Sequence, residues 1–347
     1  MAKIDLEAHF YTRSVFEYLL NRTHYPKALK VHLSEAYNVY FTEQVNLFHT
    51  QAFLDALCNI EKERLAVMDK AALTTQVLSF STPSIDELYP DNQKAIYLAI
   101  ELNDLVYDAM KRHPGRFQGF AAVAVHDTVA ATKELERCID KLHFCGWLTH
   151  SNFGKMDYLD AKKYWPLLEI AEHFNIPIYI HPTVPLMEEF TQYNFVLSGP
   201  PLGFQFDTAL CLMRMIYAGV FNEFPKLRVI LGHLGEALPI LMPDRLDWAY
   251  KNKGIANNAQ FIKTRPRLKK TPSEVINENV YITTSGRFSK PALDYTMSIL
   301  GEDRIMFASD YPYENLLDSV QFIENCGYSK QITENIFFKN AALLGIK

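Results

Sequence analysis

The chain has 347 residues, of which 48% are hydrophobic and 22% are charged, and these values are typical of a folded globular protein with a large core. Its formal net charge of −5 argues against a nucleic-acid or anionic-membrane surface, because either partner would require a basic one. We therefore expect a small-molecule partner, no nucleic acid and no membrane.

The cysteines and the N-terminal segment indicate the cellular compartment of the protein. The five cysteines are odd in number and none lies in Cys-x-x-Cys spacing, which favours reduced thiols over disulfides or a thiolate zinc site. No basic segment followed by an apolar one precedes the first predicted strand, and no apolar run reaches membrane-spanning length. These features predict a cytoplasmic protein.

The first predicted strand, Lys3–Phe10, alternates apolar and polar side chains. The apolar positions, expected on one face, are Ile4, Leu6 and Ala8. The polar positions, expected on the other face, are Asp5, Glu7 and His9. Because side chains two residues apart on a strand project the same way, Glu7 and His9 can close on one cation. The same residues also fit the solvent-facing stripe of an edge strand, so the rest of the chain has to decide.

Helices and a long loop are expected between the first and second predicted strands. A short helix is predicted over Thr12–Arg22, and an irregular, Tyr- and His-rich loop over Thr23–Thr50 is expected to cover one end of the fold. Apolar residues at helical spacing then predict one continuous helix from Gln51 to Asp69.

Eight predicted strands, each followed by a helix, set the fold class. They are Lys3–Phe10, Thr75–Phe80, Phe117–Val125, Cys145–Thr149, Ile176–Ile180, Arg228–Leu231, Asn279–Thr284 and Arg304–Ala308. This order predicts an α/β fold, a (β/α)8 TIM barrel with loop insertions. No linker or internal repeat interrupts it, so we expect one domain over residues 1–347.

Three segments in the second half of the chain depart from the simple alternation. An insertion rich in Pro, Gly and aromatics covers Val184–Phe204, and the aromatic stretch Phe190–Phe206 fits either the wall of a ring-binding site or an oligomer contact. A helix with a slow start is predicted over Leu234–Tyr250, followed by a basic, polar excursion over Lys251–Lys270.

Residues of metal-ligand type end four of the predicted strands. His181 ends the fifth strand, His233 the sixth, Asp310 the eighth, and Glu7 and His9 the first. Side chains at the carboxyl ends of barrel strands meet at one mouth, so these residues predict a divalent-cation site with an open position for substrate. Singly, each has a structural alternative, such as a backbone-bonded histidine or a turn-capping aspartate. Their joint placement favours the metal site.

Four segments resemble one enzyme family. They are Ile4–Phe10, Tyr179–Pro182, Leu231–Pro239 and Ala308–Tyr313. In this order they are similar to the amidohydrolase-superfamily decarboxylases, which include γ-resorcylate, 2,3-dihydroxybenzoate and 5-carboxyvanillate decarboxylases and, more distantly, aminocarboxymuconate semialdehyde decarboxylase. The resemblance implies four metal ligands, Glu7, His9, His181 and Asp310. It also implies a pocket residue, His233, oriented by Glu236, and a homo-oligomer, either dimer or tetramer.

The first pair of ligands selects a branch of the superfamily. Hydrolases of the superfamily usually have His-x-His on the first strand, and binuclear ones also have a lysine on the fourth strand. This chain has Glu7 and His9 on the first strand, and the end of its fourth strand, Thr149–Asn152, contains no lysine. The difference points to a mononuclear decarboxylase site. Zn²⁺ and Mn²⁺ both suit such a set of N and O ligands. His150, within that exit, is a possible pocket residue.

Loss of CO2 from an aryl carboxylate requires a proton on the ring carbon that bears it. Asp310 is the first candidate for this acid, since a carboxyl group held against a carboxylate substrate can have its pKa raised. The second candidate is His233. Two arginines, Arg64 and Arg245, are candidates for binding the substrate carboxylate, because a guanidinium matches a carboxylate bidentately. Each arginine also lies in an acidic run and fits a surface ion pair.

The predicted function is a metal-dependent, non-oxidative decarboxylase of a small hydroxylated aromatic carboxylic acid of the dihydroxybenzoate or resorcylate type. One alternative is a lactonase-type hydrolase of the same superfamily that uses metal-bound water. Another is a non-catalytic barrel that binds metal or acts as a scaffold.

Overall fold

The computed structural model describes residues 1–154, 157–251 and 267–347. Its main sheet has eight parallel strands in chain order. Numbered along the chain, they are β1 (Ile4–Phe10), β5 (Thr75–Phe80), β6 (Phe117–Ala121), β7 (Gly146–His150), β8 (Pro177–His181), β9 (Arg228–Leu231), β10 (Val280–Thr283) and β11 (Ile305–Met306). All eight predicted barrel strands are therefore confirmed.

The sheet closes on itself between β1 and the segment that follows β11. Leu6 N donates to Phe307 O at 3.1 Å, His9 N to Tyr311 O at 2.7 Å, and Asp310 N to Glu7 O at 3.1 Å. Closure leaves no free strand edge, which is how a barrel satisfies its backbone groups. The same hydrogen bonds bring the end of the last strand against the end of the first, where the predicted ligands lie.

Helices surround the barrel. The longer ones are Asn92–Arg112, Thr128–Asp140, Gly203–Ala218, Lys290–Leu300 and Leu316–Asn325. The shorter ones are Arg13–Asn21, Gln51–Cys58, Lys62–Lys70, Trp165–His173, Glu188–Thr191, Phe195–Ser198, Val220–Glu223, Leu238–Leu241, Trp248–Lys251, Pro272–Asn279, Lys330–Glu334 and Asn340–Leu343. In the part of the chain that the structure describes, none of these helices is both long and apolar enough to span a bilayer.

Two layers of apolar side chains form the core. Inside the barrel, inward-facing residues from its strands pack with one another, among them Leu6, Phe120, Tyr179 and Met306. Outside it, the strands pack against the helices; Leu98, Leu102 and Val106 of the helix Asn92–Arg112 are buried there at helical spacing. The five cysteines are all free thiols.

The expected loop over Thr23–Thr50 is wrong, because this segment forms a small antiparallel sheet. Its strands are β2 (Lys27–Lys30), β3 (Ala36–Tyr40) and β4 (Asn46–Thr50), paired in that order. They are short, and much of each is half-buried or exposed, so no clear apolar alternation marks them. Pairing between neighbouring strands, rather than a hydrophobic face, defines this sheet.

Two predicted helices also differ. The helix expected over Gln51–Asp69 is broken near Asn59, whose Oδ1 accepts from Glu61 N at 3.3 Å and from Glu63 N at 3.3 Å and so begins a second helix. The helix expected over Leu234–Tyr250 forms only two single turns, Leu238–Leu241 and Trp248–Lys251. Its slow start is explained by the positive φ of Leu234, Glu236 and Ala237. Of the excursion expected over 251–270, residues 252–266 lie outside the described residues.

Candidate metal centre

A β-bulge in β1 aims the first pair of ligands. The pairing register with β5 shifts between Asp5 and Ala8. Ile4 and Leu6 therefore pack inside the barrel, whereas Ala8 packs in the outer layer, so the predicted single apolar face is wrong. Such bulges re-aim side chains next to active sites.

The four predicted metal ligands meet at the mouth of the barrel. His9 Nε2 lies 3.3 Å from both Glu7 Oε1 and Asp310 Oδ1. His181 Nε2 lies 3.4 Å from Glu7 Oε1. One donor atom from each of the four residues lies within 4.8 Å of the other three.

The spacing of these donors fits one cation. Ligand atoms that sit about 2.0–2.2 Å from a tetrahedral metal ion are separated from one another by about 3.3–3.6 Å. Glu7, His9, His181 and Asp310 show separations of 3.3–3.4 Å where distances join them. Two carboxylates and two imidazoles also suit Zn²⁺ or Mn²⁺ in donor type and charge. The cluster can therefore hold one divalent ion.

The carboxylate of Glu7 is positioned by a side chain from a neighbouring part of the barrel. Tyr179 OH donates to Glu7 Oε2 and lies 2.8 Å from Thr283 Oγ1. Gly232 leaves room for this contact, since a Cβ there would lie 3.3 Å from Glu7 Oε2 and 3.2 Å from Tyr179 OH. The sequence analysis missed Tyr179, although its position two residues before His181 places both side chains on the inward face of β8.

Opposite charges shift the pKa values within the cluster. Burial disfavours the charge on Glu7, but His233, His181 and His9 outweigh burial and hold its pKa well below the ordinary value. Burial likewise opposes charge on His9, yet hydrogen bonds to Asp310 and Glu7 raise its pKa to about 9. Burial and the nearby His9 lower the pKa of His181 to about 4. Ionised carboxylates thus face imidazoles whose protons a metal ion would replace.

His233 lies beside the cluster and is oriented as the sequence predicts. Its Nδ1 bonds to Glu236 Oε1 at 2.6 Å, while its Nε2 faces Asp310 Oδ2 at 3.9 Å. Burial disfavours its charge, but Glu236 and Glu7 raise its pKa well above the ordinary value. His233 and Asp310 both have positive φ, 52° and 66°. Non-glycine residues in this region each cost about 1–3 kcal/mol, and such strain clusters at functional sites.

The two oxygens of Asp310 face different partners. Oδ1 lies toward His9, whereas Oδ2 lies toward His233. Burial favours the neutral acid, but the nearby His233 and the hydrogen bond from His9 hold the pKa of Asp310 below its ordinary value. The pKa shifts of the two groups favour a proton on His233 over one on Asp310.

Arg64 lies behind the metal ligands and not in the cavity. Its guanidinium donates to His9 O at 2.6 Å and to Gln76 Oε1 at 3.3 Å, and the side chain is fully buried. Gln76 Nε2 in turn donates to Asp5 at 3.0 Å, which also accepts from Ser309 N at 2.8 Å. The expected contact of Arg64 with substrate is therefore not supported, because its donors are used to tie β1, β5 and the segment after β11 together.

A cavity of about 310 Å³ opens in front of the cluster. This size falls in the range of small-molecule sites, about 300–1,000 Å³. Its polar lining includes His181, His233, Glu236, Asp310, Glu314 and Arg287. Its apolar wall is formed by Leu47, Phe195, Pro200 and Phe204. Arg245 is exposed and not among the lining residues, because the helix expected to aim it is not formed.

His150 belongs to a second buried cluster that adjoins the first, since its ring lies 5.3 Å from the ring of His181. Its Nδ1 bonds to Asp86 at 3.1 Å, and it is fully buried. Asp86, Glu87 and His150 approach closely enough to be a second ligand set. However, Glu87 accepts from Thr82 Oγ1 at 2.8 Å and from Thr183 Oγ1 at 2.6 Å, so protein donors already satisfy its carboxylate. A larger cavity of about 870 Å³ lies on this side, and its lining includes none of the four metal ligands.

Comparison with known sequences identifies the family of this chain. A family model described as amidohydrolase matches residues 4–344. The chain is 34% identical over 295 residues to γ-resorcylate decarboxylase of Polaromonas sp. (strain JS666 / ATCC BAA-500), covering 82% of this chain and 87% of that protein. It is 36% identical over 269 residues to γ-resorcylate decarboxylase of Rhizobium sp. (strain MTP-10005), covering 75% and 79%.

The chain is also similar to solved structures of decarboxylases. The chain superposes on a dihydroxybenzoic acid decarboxylase from Polaromonas sp. JS666, with bound manganese and 2-nitroresorcinol, at a TM-score of 0.82, 29% identity and coverage of 99% and 96%. It superposes on 5-carboxyvanillate decarboxylase from Sphingomonas paucimobilis at a TM-score of 0.84, 28% identity and coverage of 100% and 99%. The chain belongs to the amidohydrolase family.

Proposed function

We propose that this protein is a metal-dependent, non-oxidative decarboxylase of a hydroxylated aromatic acid. The observation that carries the proposal is the convergence of Glu7, His9, His181 and Asp310 at one end of a cavity, with His233 beside them. The similar proteins named as γ-resorcylate, dihydroxybenzoic acid and 5-carboxyvanillate decarboxylases support the same reaction.

The cluster would hold one divalent ion, Zn²⁺ or Mn²⁺. Bound there, the ion would act as a Lewis acid toward the carboxylate and a neighbouring phenolate oxygen of the substrate. The bound manganese in the Polaromonas structure supports Mn²⁺ as the first ion to test. The apolar wall would hold the ring against the cluster and exclude water from it.

We assign proton delivery to Asp310 and His233 acting in sequence. His233 holds the proton at rest because Glu236 stabilises its imidazolium. A carboxylate substrate brings negative charge next to Asp310, which favours transfer of that proton from His233 Nε2 to Asp310 Oδ2. Asp310 then protonates the ring carbon that bears the carboxylate. The C–C bond breaks, its electron pair restores the aromatic ring, and CO2 leaves.

The test is an assay of Mn²⁺-loaded protein with 2,6-dihydroxybenzoate, 2,3-dihydroxybenzoate and 5-carboxyvanillate. Ultraviolet absorbance follows loss of the carboxylated chromophore, and trapped CO2 is measured in parallel. We expect one CO2 for each acid consumed, with the decarboxylated phenol as product. No CO2 from any acid of the panel would contradict the proposal.

The hydrolase alternative has weaker support, because the similar proteins quoted above are all decarboxylases. Aryl lactones tested under the same conditions would reveal it as acid formation without CO2. A cytoplasmic location is part of the proposal, supported by the five free cysteines. So is the homo-oligomer that the resemblance implies.

A further inference from the structure

The cavity in front of the metal cluster contains one permanently charged cation among its described lining residues, Arg287. Arg287 is half-buried, and within the described part of the chain no hydrogen bond or ion pair of its guanidinium is recorded. The contrast with Arg64 is direct, since Arg64 is fully buried and its guanidinium is bonded to the protein. Arg287 therefore has its donors available to a ligand.

The loop that carries Arg287 is fixed to both neighbouring strand ends. Thr284 Oγ1 donates to Ala308 O at 3.1 Å, and Ser285 Oγ accepts from His233 N at 3.1 Å. Arg287 N donates to Thr284 O at 3.2 Å, which closes the turn. The position of Arg287 at the cavity is therefore set by the barrel itself.

This loop also approaches the residues proposed to move the proton. Gly286 has φ of 59°, and a Cβ built on it would lie 3.3 Å from Asp310 Oδ2 and 3.3 Å from His233 Cδ2. A side chain at position 286 would therefore crowd the reacting groups. Arg287 follows Gly286 directly and lines the same cavity.

Arg287 differs from Glu236 and Asp310, which also line the cavity. Glu236 is bonded to His233, and Asp310 lies against His9 in the proposed metal cluster, so both carboxylates have partners. The guanidinium of Arg287 has no such partner among the described residues. Its charge is therefore left to attract an anionic ligand.

We infer that Arg287 captures the carboxylate group of the substrate at the mouth of the cavity, in the role that the sequence assigned to Arg64 and Arg245. This inference rests on the proposed function for the nature of the substrate. A guanidinium pairs with a carboxylate through two parallel hydrogen bonds. Because the carboxylate loses its charge as CO2 forms, this contact stabilises the bound acid more than the transition state. Removal of Arg287 should therefore raise KM without lowering kcat.

The test compares two ligands in Mn²⁺-loaded protein by calorimetry. Benzoate carries the carboxylate but no hydroxyl group to assist bond cleavage, and resorcinol carries the hydroxyl groups but no carboxylate. Loss of a hydrogen bond to a charged group corresponds to about a 10- to 100-fold weaker affinity, so Arg287→Gln should weaken benzoate by that factor and resorcinol by less than about twofold. Arg287→Lys, which keeps the charge but not the paired geometry, should fall between Arg287→Gln and wild type.

The control variant is Lys290→Gln, three positions further along, where the lysine pairs with Asp294 at the surface and does not line the cavity. It should leave both affinities unchanged. Unchanged benzoate affinity in Arg287→Gln, an equal loss for both ligands, or no benzoate binding by wild type would each overturn the inference. CO2 release by wild type is measured separately. If benzoate binding depends on Arg287 but no acid of the panel releases CO2, the proposed function is wrong and the inference about Arg287 is retained.

Discussion

The metal cluster and the wall that faces it are built in different ways. The cluster is made by the ends of barrel strands, whose register fixes each ligand relative to its neighbour. The wall is made by two inserted segments that touch each other across the mouth: Asn46 N donates to Asn194 Oδ1 at 2.8 Å, and the rings of Phe41 and Phe195 stack at 6.0 Å. We therefore expect the cluster to determine whether the reaction occurs and the wall to determine which acid binds.

The largest effect on the reaction is expected when one metal ligand is removed. His181→Ala should abolish both bound metal and turnover, because one of four donor atoms is lost from a buried cluster. Metal content by mass spectrometry and CO2 release are measured together. The control His173→Ala alters an exposed histidine at a helix end and should keep both. Full activity in His181→Ala would show that the metal site lies elsewhere.

The next largest effect is expected when His233, which is proposed to supply the proton to Asp310, is replaced. His233→Asn should retain the metal, because His233 is not one of the four ligands. Its turnover should fall by about 100- to 10,000-fold, the usual contribution of a positioned acid or base. Metal content and kcat are compared with wild type. If the variant lost its metal in proportion to its activity, His233 would belong to the cluster instead.

Glu236→Gln should have a smaller effect, with a distinct pH signature. Glu236 helps to raise the pKa of His233, so its removal lowers that pKa and His233 loses its proton at lower pH. The alkaline limb of the kcat profile should therefore move to lower pH, and kcat should fall about 10- to 100-fold. A profile that falls in height without moving would remove Glu236 from this role.

The smallest effect should come from the wall. Phe204 is buried against Phe195, with ring centroids 5.5 Å apart, and it lines the cavity. Phe204→Ala should raise KM about tenfold by removing apolar contact with the ring, with metal content and kcat little changed. Phe206 of the same helix is 55% exposed and does not line the cavity, so Phe206→Ala is the matched control. A large loss of metal in Phe204→Ala would contradict the division between cluster and wall.

The sequence predicted the cluster because its signal is local. His181 and Asp310 each follow a short apolar run, whereas Glu7 and His9 end a strand of alternating pattern. A parallel barrel brings the ends of such strands together. The bulge in β1 was not predicted, since register depends on the partner strand and not on alternation within one strand.

Only part of the wall was predictable. The aromatic insertion was expected either as a wall or as an oligomer contact, and its residues Phe195, Pro200 and Phe204 do line the cavity. β2–β4 were not expected, because they expose much of their surface and owe their order to pairing with one another. The arginine that lines the cavity depends on a turn whose shape follows from hydrogen bonds to two other loops. Arg64 and Arg245 have the expected chemistry, but long-range packing decides which arginine reaches the cavity.

The central claim is that one metal ion, held by Glu7, His9, His181 and Asp310, makes the protein a decarboxylase. Its most direct test is a titration of chelator-treated protein with Mn²⁺ while CO2 release from 2,6-dihydroxybenzoate is followed. Activity should be absent at first, rise in proportion to added metal and level off at about one equivalent per chain. Full activity before any Mn²⁺ is added, or a plateau reached only at two equivalents, would contradict it.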